Sequence, residues 1–346
     1  MQKFKSAINQ IEGIYQIKID VPFAVKYVCV YLFNVGNKLV LIDSGLNLGN
    51  WRKKFFESLE ELKIDIGEID YCFITHIHID HIGLVKKLKE ANPNLKILMH
   101  EITYELLKWE TNRANLADLK KKATEIATQM IKYGISEEQS RKVVQFFTYW
   151  PQFLIFQEPD ILVQDGDIIL DSLKVIWTPG HSFGHICIFD KNNKYLFSGD
   201  HILSRITPHI GNFVVNETLH EKYHDFDFSN ILKYYLSSLD KIDKLNPRII
   251  FPAHQEIIFN PHQRILEIKA HHKNRLRAIL DLIKEKPLSP YQISQMHFGT
   301  DLDEINSYMA LSEVLGHLLY LEDLGKVKKI EEKGIFHYTN VNETSF

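Results

Sequence analysis

The chain has 346 residues, 45% of them hydrophobic and 25% charged, which provides for a buried core and about two domains and excludes a disordered or collagen-like polymer. Lys and Arg total 41 against 44 Asp and Glu, a formal net charge of −3, so no overall positive charge marks the chain for nucleic acid. Cys29, Cys72 and Cys187 sit in apolar runs without a CxxC pair and read as small buried hydrophobes, not as disulfides or a thiolate metal site.

Residues 27–33 (YVCVYLF) and 38–44 (KLVLIDS) read as two strands around a turn at 34–37. Residues 50–63 carry Trp51, Phe55, Leu59 and Leu62 at helical spacing. A buried strand follows at 71–75 (YCFIT), then the stretch 76–81 and a helix through Ala91. The NPN at 92–94 breaks the chain before a strand at 96–100. Residues 102–150 read as a helical insertion, with the lysines at 120–122 on a solvated face. From 161 to 200 the chain is strand-rich, 228–242 is an amphipathic helix, and 248–252 (RIIFP) is a strand.

After Asn260 and Pro261 helices dominate, at 275–284, 290–297 and 311–324, the last stopped near Gly325. Two short strands, 327–330 and 335–338, end the chain. Residues 261–346 thus have a winged-helix-like outline behind a domain at 1–260. No apolar stretch reaches the eighteen or so residues of a membrane helix, and MQKFKSAINQIEG lacks the apolar core of a signal peptide. The expectation is a cytoplasmic protein with no membrane partner.

The chain has 17 histidines, and their placement carries the chemistry. His76-Ile77-His78-Ile79-Asp80-His81 puts four candidate ligands into six residues directly after a strand. Imidazole and carboxylate suit zinc, iron or manganese, whereas structural zinc and iron–sulfur sites are rich in thiolate. The pattern recurs: KVIWTPG leads to His181, KYLFSG to Asp200 and RIIFPA to His254. Each apolar run delivers one ligand-type residue at its carboxyl end, where the loops of an α/β sheet gather.

HxHxDH at 76–81, His181 in TPGHS, Asp200 in SGD and His254 in PAH resemble the metallo-β-lactamase-fold hydrolase superfamily, and Asp43 in LIDSG matches its early LIDTG-like segment. The resemblance spans roughly residues 10–260. It implies an α/β (α+β) four-layer αββα sandwich with a C-terminal helical winged-helix-like domain. It also implies that His76, His78 and His181 hold one metal, that Asp80, His81 and His254 hold a second, and that Asp200 bridges them. The best-known true β-lactamases of the family have Cys where this chain has Asp200. The segments SGDHIL and ITPHI, with the C-terminal part, look most like the β-lactamase-like protein 2 subfamily, whose members cleave RNA or act on small esters and thioesters. The insertion then falls where that subfamily shapes its substrate entrance.

Two divalent ions about 3.5–4 Å apart can lower the pKa of a shared water from about 15.7 toward about 7. Asp80 is the candidate catalytic residue, orienting that nucleophile and relaying its proton. Asp200 reads as a ligand, because a bridging carboxylate is held in its charged form. Asp43 is expected behind the ligands, fixing a histidine tautomer. His201 reads as a substrate contact or a loop-orienting ring, His185 as structural, and Ser182 as a turn residue. His209, His220, His224, Asn212, Asn216 and Tyr223 fall in a loop leaving the site at Asp200, with Tyr223 a candidate for substrate contact. His271, His272, Lys273, Arg275 and Arg277 form a basic cluster, read as a solvated face. The third C-terminal helix carries Glu313, Glu322 and Asp323, the wrong sign for reading nucleic acid.

The sequence therefore predicts a hydrolase with two divalent metal ions, zinc first and iron or manganese as alternatives, acting on a small ester, thioester or lactone. An endoribonuclease with the same dinuclear site is the second reading, with RNA as partner. A metal-binding winged-helix regulator is a third, from a different class. A homodimer is compatible with all three.

Overall fold

The structure is a computed structural model of the whole chain, described here over residues 7–22, 25–111, 116–149, 153–211 and 222–341. In chain order the elements are β1 (Ala7–Ile11), β2 (Ile14–Asp20), β3 (Tyr27–Val35), β4 (Lys38–Ile42), α1 (Gly49–Leu62), β5 (Ile69–Ile74), α2 (Ile79–Ile82), α3 (Val85–Ala91), β6 (Lys96–His100), α4 (Glu101–Thr111), α5 (Leu116–Lys132) and α6 (Glu137–Tyr149). Then come β7 (Ile161–Val163), β8 (Ile168–Ile169), β9 (Leu173–Trp177), β10 (Ile186–Asp190), β11 (Tyr195–Gly199), α7 (Ile231–Leu245) and β12 (Ile249–Pro252). The chain continues through α8 (Pro261–Leu282), α9 (Pro290–Phe298), α10 (Glu304–Asp323), β13 (Val327–Glu332) and β14 (Ile335–Asn340).

One compact unit comprises Met1–Thr111, Gln152–Pro208 and Lys241–Arg264. It holds a seven-stranded sheet in the order β1 to β7 and a five-stranded sheet in the order β12-β11-β10-β9-β8. The side-chain period of two sends alternate residues of each strand to opposite faces. Tyr31, Phe33, Val40, Ile42, Phe73 and Leu98 of the larger sheet thereby meet Val175, Ile186, Ile188, Phe197 and Phe251 of the smaller in one core. Phe33 and Phe197 stack with ring centroids 4.5 Å apart. The alternate residues Leu41, Cys72, Ile74, Ile97 and Met99 are buried too, and α1 lies against β2 and α4 against β6. This is the mixed α/β sandwich of the expected fold class.

β4, β5 and β6 pair in parallel, as do β11 and β12. Parallel neighbours end on the same side, so the loops after β4, β5, β11 and β12 emerge together, and the loop after β9 joins them. That edge carries every candidate ligand.

The second unit comprises Asn112–Pro151, His209–Asp240 and Ile265–Phe346. Ile126, Met130, Ile135 and Val143 of the insertion share an apolar core with Tyr308, Leu311 and Leu315 of α10. Gln139 Nε2 donates to Tyr291 Oη at 2.7 Å. Ser289 caps α9 in a capping box with Gln292, and β13 and β14 form an antiparallel hairpin. Most expected strands and helices match to within a few residues. The helix expected at 275–284 instead begins at Pro261, where proline's fixed φ and missing N–H suit the first helical position. Strands β1 and β2, which the chain-order reading did not mark, form the outer edge of the larger sheet.

Candidate metal centre

The turn after β5 builds the first group of ligands. His78 is the extended N-cap of α2, and the His81 and Ile82 N–H groups both donate to its carbonyl, so the single turn presents Asp80 and His81 together. Gly83 ends that turn beside the β4–α1 loop. A Cβ there would come within 2.7 Å of Gly45 O and 2.8 Å of Asn47 N, so only glycine permits the approach. Gly199, at φ +49, ends β11 just before Asp200, and a Cβ there would meet His185 Nε2 at 2.6 Å.

Two groups of nitrogen and oxygen atoms converge. In one, His78 Nδ1 lies 2.9 Å from His76 Nε2 and 3.0 Å from His181 Nε2, and His181 Nε2 lies 3.4 Å from Asp200 Oδ2. In the other, His254 Nε2 lies 3.5 Å from Asp80 Oδ2 and 3.3 Å from Asp200 Oδ1, and His81 Nε2 lies 3.8 Å from Asp80 Oδ2 and 3.6 Å from Asp200 Oδ1. Asp200 therefore offers one carboxylate oxygen to each group. Ligands at ~2.0–2.1 Å from a tetrahedral ion stand roughly 3.3 Å apart, close to these separations. His81 Nε2 and Asp200 Oδ1 are buried and have no hydrogen-bond partner among the described residues. Such orphaned atoms are costly unless a cation meets them. The residues fit two divalent ions, and the lack of thiolate among them favours metals that accept nitrogen and oxygen.

Behind the ligands, hydrogen bonds set which ring nitrogen points inward. Asp43 follows β4 at φ 59, a left-handed conformation that aspartate tolerates better than most residues. Its Oδ1 accepts the Thr75 N–H at 2.8 Å, and its Oδ2 accepts the Thr75 hydroxyl and faces His81 Nδ1, both at 2.8 Å. His254 Nδ1 donates to Tyr27 O at 2.6 Å. Both rings thus hold a proton on Nδ1 and present Nε2 to the centre, the atom a metal would take. His185, fully buried, accepts the Asp200 N–H on Nε2 at 3.1 Å and bonds Thr178 Oγ1 through Nδ1 at 2.8 Å, which anchors the bridging aspartate.

Charge follows the same geometry. Burial, with His81 and His78 nearby, holds the His76 pKa well below the usual histidine value, so the ring is neutral and ready to ligate. Burial opposes charging His81, but Asp200, Asp43 and Asp80 outweigh it and hold its pKa well above the usual value. Burial likewise opposes ionising Asp200, but His254 and His81 draw its pKa well below the carboxylate range. The pocket seeks positive charge.

All seven residues expected to ligate metal are brought together in these two groups. Asp43 lies directly behind His81. His201 is fully buried and kept neutral by burial, its pKa pushed down to about 3. Tyr223 is half-buried in the second unit and belongs to neither group. His209, also in that unit, has Nε2 2.7 Å from Ser312 Oγ. Asn212, Asn216 and His220 lie outside the described residues. Thr75 and the Tyr27 carbonyl were not singled out in the sequence. Thr75 carried a signal, as the residue between a buried strand and the first ligand, and the carbonyl carried none.

Residues 25–254 match the family described as the metallo-beta-lactamase superfamily, and residues 276–341 match the metallo-beta-lactamase-like C-terminal domain. A Bacillus subtilis protein named "Probable metallo-hydrolase YqjP" is 26% identical over 314 residues, covering 90% of this chain and 92% of its own. A Caenorhabditis elegans protein named "Beta-lactamase-like protein 2 homolog" is 27% identical over 292 residues, covering 82% and 74%. Among solved structures, a metallo-beta-lactamase family protein from Thermus thermophilus superposes with a TM-score of 0.73 at 25% identity, covering 95% of this chain and 99% of that one.

Proposed function

The chain belongs to the metallo-beta-lactamase superfamily and is a metallo-hydrolase, and from that premise we propose that it uses two divalent metal ions to hydrolyse a small ester, thioester or lactone. The observation that carries this reading is the sharing of Asp200, whose Oδ1 faces His81 and His254 while Oδ2 faces His181. A carboxylate placed between two ligand groups serves a pair of ions, which mere sensing of one metal does not require. His76, His78 and His181 would hold the first ion and Asp80, His81 and His254 the second, with zinc the first candidate and iron or manganese the others.

Bound divalent ions supply Lewis-acid polarisation of the scissile bond and a nucleophile from water at neutral pH. The chain's own residues do the rest. Asp80 directs Oδ2 toward His81 and His254, and its carboxylate is the group we propose orients the attacking water and takes its proton. Asp43 and Tyr27 O keep the protons of His81 and His254 on Nδ1 throughout.

Within the second unit, the basic cluster is divided: His271, Lys273 and Arg277 are exposed, as on a solvated face, while His272 and Arg275 turn inward. His272 is fully buried, and Arg275 pairs with Glu313 and lies over the Phe298 ring at 5.1 Å. Arg275, committed in this way, is a poor phosphate contact, which removes one cation from an RNA grip and supports the small-molecule reading. The test is turnover by metal-loaded protein of an acyl thioester, a simple ester, a lactone and single-stranded RNA. Hydrolysis of one of the small substrates, with the RNA intact, is the expected result. Cleavage of RNA alone would move the endoribonuclease reading to first place.

A further inference from the structure

β4 ends at Ile42, which pairs with Tyr31, and the chain then turns away at Asp43. Residues 27–30 of β3 thereby lose their β4 neighbour, and the segment 252–254 takes its place. Three bonds tie the two, one at every second residue of β3: Tyr31 Oη donates to Pro252 O at 2.5 Å, Cys29 N–H to Ala253 O at 2.6 Å, and His254 Nδ1 to Tyr27 O at 2.6 Å. The first is made by a side chain whose ring packs in the core against Phe197 and Phe251, with ring centroids 5.6 and 5.5 Å away.

That hydroxyl is itself held. Gln16 Nε2 donates to Tyr31 Oη at 3.1 Å, and Gln16 Oε1 accepts from Asn9 Nδ2 at 3.1 Å. Gln16 and Tyr31 are buried at 3% and 1% exposure. Packing does not require them, because a phenylalanine would fill the same space and bury no polar atom. The satisfied line Asn9–Gln16–Tyr31–Pro252 O ends two residues before a ligand.

We infer that Tyr31, held by Gln16, is a positioning residue for His254 and sets the affinity of the second metal position. This rests on the two-metal reading above. Losing the bond frees the Pro252 carbonyl at the exit of β12 and loosens the register that aims His254 Nε2. His76, His78 and His181 of the first group, on the β5 and β9 loops, have no part in this tie. Partners standing behind metal ligands change affinity by about 10–100-fold when removed.

The test is a competition titration of the metal-free full-length chain with zinc against a chromophoric chelator, in the native form, Tyr31→Phe, Gln16→Leu and His254→Ala. Tyr31→Phe keeps the ring and removes one oxygen, and Gln16→Leu serves if that variant fails to fold. The expected result is that the equivalent abolished by His254→Ala is weakened about 10–100-fold in Tyr31→Phe while the other is unchanged. Equal weakening of both equivalents, or no change in either, overturns the inference and leaves two-metal binding standing. Failure of the native chain to bind two equivalents overturns the two-metal reading instead.

Discussion

His81 Nδ1 lies 2.8 Å from Asp43 Oδ2, with both side chains fully buried, at the junction between the turn after β4 and the turn after β5. One carboxylate thus joins the two loops and fixes the tautomer of a ligand. Asp43→Asn keeps the shape and removes the charge that favours the Nδ1 proton. It is expected to weaken zinc at the second position about 10–100-fold, read by chelator competition. An affinity equal to the native value would show that Asp43 only shapes the turn.

The assignment of Asp80 separates ligation from proton transfer. Asp80→Asn retains an oxygen for the metal but is a far weaker proton acceptor. Its kcat on a responsive small substrate should fall by about 10²–10⁴-fold, with the metal held by His76, His78 and His181 still bound. Loss of both metals in that variant would show that the centre assembles as one unit.

Much of this centre was legible in the sequence because each ligand follows an apolar run, and runs of five or six residues rich in β-branched and aromatic side chains are too short for a helix and read as buried strands. HxHxDH after YCFIT and the single His or Asp after three later runs were enough to identify the set. β2 was less legible because IYQIKID places polar Gln16 among its buried positions, and Gln16 is buried only because Tyr31 and Asn9, far apart in the chain, satisfy its amide. The pairing of the insertion helices with α10 depends on residues some 170 positions apart, such as Val143 and Leu311, and local spacing does not report it. Nor does charge counting reveal that Arg275 points inward.

Arg275 gives a stability prediction. Its side chain is 11% exposed against 13% for Glu313, so Arg275→Ala strands a largely buried carboxylate and should cost about 3–5 kcal/mol in chemical denaturation. If Arg275 served RNA instead, the substitution would leave stability nearly native and reduce a salt-sensitive affinity.

Acid sensitivity follows from His272 and His317, whose ring nitrogens lie 3.1 Å apart. Burial, then His317, pushes the His272 pKa down to about 2, and burial, then Arg275, holds His317 well below the usual value. Both are uncharged when folded, whereas the unfolded chain protonates them near pH ~6.5. Below that pH the unfolded state takes up protons that the folded state does not. Stability therefore falls as pH drops, by up to about 1.4 kcal/mol per pH unit for each ring, and is unaffected by them above it. Unfolding free energies measured from about one pH unit above that midpoint to about one and a half units below it should show this slope, and His272→Leu should flatten it. An identical slope in the variant would assign the acid sensitivity elsewhere.

The central claim, a pair of metal ions bridged by Asp200, is tested most directly by the metal content of gently purified protein, measured by elemental analysis per mole of chain. The account predicts two equivalents of divalent transition metal, falling to one in His254→Ala. A reproducible value near zero in the native chain, not raised by incubation with zinc or manganese, would contradict it.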